Sequence, residues 1–236
     1  MNQKEALMHP KGGKYMRSLI FGFNDGTVSN LALVAGLSGA MLGSKVVILG
    51  GLADMIAGAI SMGLGNYIAT KSQVEFYRHE YQREKYEIKA MPSLEKREIE
   101  ELYKKKGFKG KELAMVVHRI TSNKKRWLNV MMEEEIGVSK KNIESPIVVG
   151  IITFFAFLIA AAIPVIPFVF IPVGSALLWA SVTCMSLLFL VGILKTHYTG
   201  RDWLRSGIEM VVIGAIATLT SYYLGEFFNN YLVKIV

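Results

Sequence analysis

Five stretches of this chain are apolar for long enough to cross a bilayer as helices, and no other property constrains its fold as strongly. A hydrocarbon core of about 30 Å takes about 20 apolar residues at roughly 1.5 Å of rise each. Residues 19–43 and 46–69 meet that length and are parted only by Ser44 and Lys45, so they read as a helical hairpin. Residues 146–163 start a third span, Pro164, Pro167 and Pro172 turn the chain, and residues 173–194 give a fourth. Residues 195–205 are a short polar link, and 207–233 supply a fifth span, with Glu209 near one end and Glu226 near the other. A chain with 52% apolar residues and a positive mean hydropathy does not suit an ordinary soluble fold. The expected class is all-α: a polytopic membrane protein with five transmembrane helices and a helical insert on the cytoplasmic side.

The charge is segregated. Residues 71–145 contain most of it, with helix-like spacing, a break at Pro92 and turn signals at Gly107 and Gly110. The expected organisation is therefore an N-terminal tail and hairpin over 1–69, a Glu-rich helical insert over 70–145, and three spans over 146–236. Residues 1–17 are polar and basic, and the run after them is too long for a cleaved signal and carries Asp25, so it reads as a retained span. A cytoplasmic N-terminus places Lys4, Lys11, Lys14, Arg17, the insert, Lys195, Arg201 and Arg205 inside. Only Lys45 and Lys234 of the 27 basic residues are then left outside. The net charge of +8 is thereby explained by orientation in a membrane, and no nucleic-acid partner is expected. The single Cys184 has no partner in its chain for a disulfide and reads as a small buried hydrophobe. Small residues recur at Ala32, Gly36 and Ala40 and at Gly51, Gly58 and Gly65, which suits either packing within the bundle or a dimer seam.

Two acids fall inside the apolar spans. Asp25 lies about a turn into the first and Asp54 near the middle of the second, where an ionised carboxylate costs about 3 kcal/mol or more without a partner or water. Met62 follows Asp54 by eight residues, which on a helix sets the two about 80° apart and roughly 12 Å along the axis. A carboxylate and a thioether together form a mixed hard and soft donor set, which suits late first-row divalent metals such as Fe²⁺ better than Mg²⁺ or Ca²⁺. On spacing alone Met62 reads as a packing residue, and its case as a ligand rests on the acids around it. In the insert, Glu80, Glu84 and Glu87 share a helix face, and Glu95 and Glu98 repeat the spacing beyond Pro92, with Ser93 as the expected N-cap. Met131, Met132, Glu133, Glu134 and Glu135 come as one run. Folded against one another, such helices gather enough carboxylates for several divalent cations. The competing reading is a solvated face whose glutamates pair with neighbouring Lys and Arg. His79 and His118 are not at mutual ligand spacing and read as surface residues.

These residues carry a resemblance. The run 22–26 (GFNDG), the run 33–40 (LVAGLSGA) and the run 57–65 (AGAISMGLG), followed by Glu84-x-x-Glu87, Pro92-x-x-Glu95-x-x-Glu98 and Met131-Met132 before Glu134-Glu135, resemble the vacuolar iron transporter family of ferrous iron and proton antiporters. The similarity runs in order along nearly the whole chain. It implies a five-helix homodimer with an ion path between subunits and a cytoplasmic metal-binding insert. By matched position it implies Asp25 and Met62 as central metal ligands, Asp54 as a further pathway carboxylate, and Glu84, Glu87, Glu95, Glu98, Met132 and Glu135 as the insert site, with Glu134 beside them. Asn66 stands where the family pattern has Glu, and Asn30 where it has a hydroxyl residue, so proton coupling falls to Asp25 and Asp54.

The expected function is proton-coupled export of cytosolic Fe²⁺, with Mn²⁺ as an alternative cargo and Co²⁺, Ni²⁺ and Zn²⁺ also compatible, into a vacuole or across a plasma membrane. The chain is not expected to be an enzyme. The rival readings are a membrane-anchored metal buffer or sensor without transport, and a scaffold whose insert binds a protein.

Overall fold

The structure is a computed structural model that describes residues 15–137 and 143–232. Its secondary structure among the described residues is helical throughout: α1 Met16–Gly39, α2 Ser44–Ala90, α3 Pro92–Lys105, α4 Gly110–Thr121, α5 Lys124–Glu134, α6 Pro146–Ala162, α7 Ile166–Phe170, α8 Val173–Thr199 and α9 Trp203–Leu232. Two compact units result, Met1–Ile68 with Pro146–Val236, and Ala69–Ser145, and the 47-residue α2 contributes to both.

In the first unit four helices are long and apolar enough to cross a membrane: α2, the segment Pro146–Phe170, α8 and α9. The expected first span is the 24-residue α1, long enough at about 36 Å but diluted by Asn24, Asp25, Asn30 and several glycines. Its neighbours explain why it tolerates them. α1 packs against α6, α8 and α9, and its Leu31, Val34 and Ala35 are fully buried, so much of its surface meets protein. Backbones approach where glycine permits. A Cβ at Gly26 would lie 2.5 Å from the Phe157 carbonyl oxygen of α6, and one at Gly39 would collide with the Tyr222 carbonyl of α9. The Gly36 and Ala40 positions likewise face α9, through Ser221 and Gly225, whereas a Cβ at Gly65 meets nothing. The recurrent small residues of α1 are thus bundle packing.

Several boundaries move from those expected. The hairpin turn is at 40–43, ahead of Ser44, which already begins α2, and Met41 takes a left-handed φ of 58° there. The proline cluster does not simply turn the chain: Pro164 lies in the turn after α6, while Pro167 sits in the first turn of the short α7, where its missing N–H is harmless. α8 extends to Thr199, closed by Gly200 at φ 64°, so the polar link is shorter than expected. α9 starts at Trp203, and the expected end of this span at Val233 lies outside the described residues. Cys184 is fully buried, with Val47, Val165 and Phe168 in the same apolar cluster.

The second unit packs α3, α4, α5 and the end of α2 around Ile88, Ile99, Val117, Ile120, Leu128, Met131 and Met132. Pro92 is the first residue of α3 and Met91 its N-cap, which leaves Ser93 inside the helix. Gly107 and Gly110 take φ of 98° and 54° at the turn before α4. Asn123 caps α5, its Oδ1 accepting from the Lys125 and Arg126 amides, both at 3.0 Å.

Candidate functional site

In the membrane-length unit the acids sit on two neighbouring helices. Asp25 of α1 and Asp54 of α2 are both half-buried and close enough to feel each other's charge. Neither makes a side-chain hydrogen bond or ion pair among the described residues, and the buried Oδ2 of Asp54 has no partner. The register of α1 and α2 is held by Asn30. Its Nδ2 donates to the Gly51 carbonyl of α2 at 2.9 Å and the Ala161 carbonyl of α6 at 2.8 Å, one turn before Asp54 on α2. Asn30 Oδ1, Asn24 Oδ1 and Ser29 Oγ are buried without partners, so α1 carries a run of unpaired acceptors beside Asp25. Asn66 donates to Thr153 Oγ1 at 2.7 Å and ties α2 to α6. Met62 packs half-buried with Met55 and Phe154 against the cluster of Ala59, Phe157 and Ala161. Within one chain it is therefore a packing residue of the α2–α6 contact.

The insert presents a second group of acids. Glu84 and Glu95 are each 2% exposed, and each leaves Oε2 without a hydrogen-bond partner. Burial pushes the Glu84 carboxyl up to about 7, helped by the charges of Glu135, Glu95 and Glu87. Burial likewise pushes Glu95 up to about 7, helped by Glu98, Glu87 and Glu135. These carboxyls repel one another and form no ion pair among the described residues; Arg83 instead reaches Glu80 at 3.4 Å and Glu87 at 3.2 Å. Spacing of three and four residues around Arg83 is the sequence signal for that fork. Pairing with a neighbouring Arg thus holds for Glu80 and Glu87, both half-buried, while Glu84 and Glu95 are buried without it.

Other expected ligands lie differently. Glu134 is paired with Lys106, which also sits over the Tyr103 ring at 5.0 Å. Met132 is 2% exposed within the apolar core of the insert. Glu98 is half-buried and Glu135 exposed. Among the described residues no three His, Cys, Asp or Glu side chains come together closely enough to hold one metal ion, so the acids form an electrostatic cluster and not a closed coordination shell.

Four apolar helices of membrane length, two unpaired acids on α1 and α2, and an acid-rich helical unit define a helical integral membrane protein. Residues 16–226 match the model of the VIT family. Vacuolar iron transporter 1 of Arabidopsis thaliana is 37% identical over 219 residues, which is 92% of this chain and 88% of the relative. The vacuolar iron transporter of Centaurea cyanus is 35% identical over 91% of this chain and 88% of its own, and that of Plasmodium falciparum 30% identical over 91% and 82%. The chain belongs to the VIT family.

Proposed function

We propose that this protein moves ferrous iron out of the cytoplasm, into a vacuole or across a plasma membrane, in exchange for protons. The observation that carries the reading is the pair Asp25 and Asp54, held on adjacent membrane-length helices with no hydrogen bond or ion pair among the described residues. Lipid disfavours an ionised carboxylate by about 3 kcal/mol, so two unsatisfied acids suit a path along which a cation and a proton take turns. The names of the relatives supply the metal.

In this reading α1 is the fifth span, and the N-terminus and insert face the cytoplasm. The insert over 70–145 is the metal-collecting domain: Glu84 and Glu95 form no ion pair among the described residues, and Fe²⁺ supplies the missing charge, with Glu87, Glu98, Glu135 and the Met132 thioether as further ligands once side chains rearrange around it. Glu134 enters once Lys106 releases it. The ion then passes to Asp25 and Met62. A homodimer doubles each ligand, so one Asp and one Met per chain become a four-ligand site. Protonation of Asp25 or Asp54 releases the metal, because a protonated carboxyl is a poor ligand. Mn²⁺ is the alternative cargo, and Co²⁺, Ni²⁺ and Zn²⁺ suit the same donor types.

The test is metal-resolved flux into liposomes with and without a pH gradient. Asp25→Asn and Asp54→Asn are expected to abolish proton-driven Fe²⁺ uptake, and Met62→Leu to weaken it. Metal binding with no flux in the intact protein points instead to a buffer or sensor, and uptake unchanged in the Asp25 and Asp54 variants refutes the pathway.

A further inference from the structure

We propose that the start of α9 is a phosphate-binding site, filled by the headgroup of an anionic phospholipid. Arg201, Asp202, Arg205, Ser206 and Glu209 line a cavity of about 430 Å³ there. Ser206 is 2% exposed, and its Oγ is buried without a hydrogen-bond partner. A buried hydroxyl in that state is uncommon and is satisfied by whatever fills the cavity.

The two acids of the cavity are already engaged. Asp202 Oδ1 accepts from the backbone amides of Leu204 at 2.9 Å and Arg205 at 3.0 Å, capping the helix. Glu209 pairs with Lys195 of α8 at 3.6 Å. Arg201 and Arg205 form no ion pair among the described residues, so two guanidinium groups are left over beside the N-terminus of a 30-residue helix. Asp202 already takes up the first amides of α9, and the guanidinium forks and the Ser206 hydroxyl that remain match the oxygens of a phosphate.

Depth in the bilayer selects the source of that phosphate. Trp203, Leu204 and Ile208 flank the cavity and are 54%, 46% and 48% exposed. Trp203 also meets Phe189 of α8 edge-on, with ring centroids 6.4 Å apart. A tryptophan exposed where an apolar helix begins belongs at the headgroup level. Acyl chains cover Trp203, Leu204 and Ile208 while the phosphate sits between Arg201, Arg205 and Ser206. Inorganic phosphate uses the same donors and leaves the apolar flank bare.

Native mass spectrometry of the full chain in a neutral detergent tests this, with phosphatidylglycerol, phosphatidylcholine and inorganic phosphate as probes. Phosphatidylglycerol is expected to bind roughly tenfold more tightly than phosphatidylcholine. Arg205→Gln or Arg201→Gln is expected to weaken it roughly tenfold and Ser206→Ala several-fold, whereas Lys45→Gln, at the start of α2, changes nothing. Arg201 lies before the helix, so its variant reports even where Arg205→Gln perturbs α9. Phosphatidylglycerol retained equally by the wild type and the Arg201→Gln/Arg205→Gln double variant overturns the site. Inorganic phosphate binding with the same residue dependence, beside no preference between the lipids, overturns the lipid as occupant.

Discussion

Replacing Glu84 by Gln removes a cost that the folded insert carries at neutral pH. Burial and the charges of Glu135, Glu95 and Glu87 raise this carboxyl from 4.5 to about 7. A tenfold change in proton affinity corresponds to about 1.4 kcal/mol, so keeping Glu84 ionised above pH 7 costs the folded state on the order of 3 kcal/mol. The folded insert holds this proton more tightly than the unfolded chain does, so the stability linked to Glu84 is full below about pH 4.5 and is lost as pH rises through about 7. Glu95 follows the same course, and because the two acids repel each other their effects are not additive. In the metal-free protein Glu84→Gln is therefore expected to stabilise the insert by up to about 3 kcal/mol at pH 8 and to match the wild type near pH 4. Trp127, 6% exposed in the insert core, is a local reporter once Trp179 and Trp203 are changed to Phe in the full chain. Urea unfolding followed by its fluorescence from pH 4 to 8 gives the comparison. A wild-type midpoint flat across that range, or a variant less stable at pH 8, refutes the reasoning. If the insert collects Fe²⁺ as proposed, the order reverses with Fe²⁺ present, because a carboxylate and not an amide is the metal ligand.

Gly26→Ala sets a Cβ 2.5 Å from the Phe157 carbonyl oxygen and is expected to cost about 1–3 kcal/mol by prising α1 from α6, seen as a lower Tm in detergent. Asn30→Ala deletes both donations to Gly51 and Ala161 and is expected to lower stability by about 1–2 kcal/mol, and to impair Fe²⁺ flux as α2 loses its register with α1. Met41→Gly relieves the left-handed strain in the α1–α2 turn and should raise stability by up to about 1 kcal/mol, measured by the same melt. Cys184, fully buried, should resist maleimide in the folded protein and react upon denaturation; labelling at the rate of a free thiol contradicts the packing around it.

Hydropathy and charge order were sufficient to indicate an all-helical membrane protein with an acid-rich insert, because length and apolarity are properties of a segment by itself. Asp25 and Asp54 stood out for the same reason: a charge inside an apolar run is visible without a fold. What faces what was not visible. Met62 and Met132 have the composition of ligands, yet in the folded chain Met62 packs against the Phe157 cluster and Met132 lies in the insert core. Glu80, Glu84 and Glu87 share one spacing, but Arg83 pairs with the first and last, while burial isolates Glu84. Asn30 read as a departure from a pattern and proves to be the bond between three helices. Ser206 carried no signal, since a serine's worth depends on whether its hydroxyl finds a partner. The sequence alone determined which segments leave water and where charge resists that transfer; tertiary structure decided which polar atoms remain unpaired, because pairing depends on neighbours brought together from distant parts of the chain.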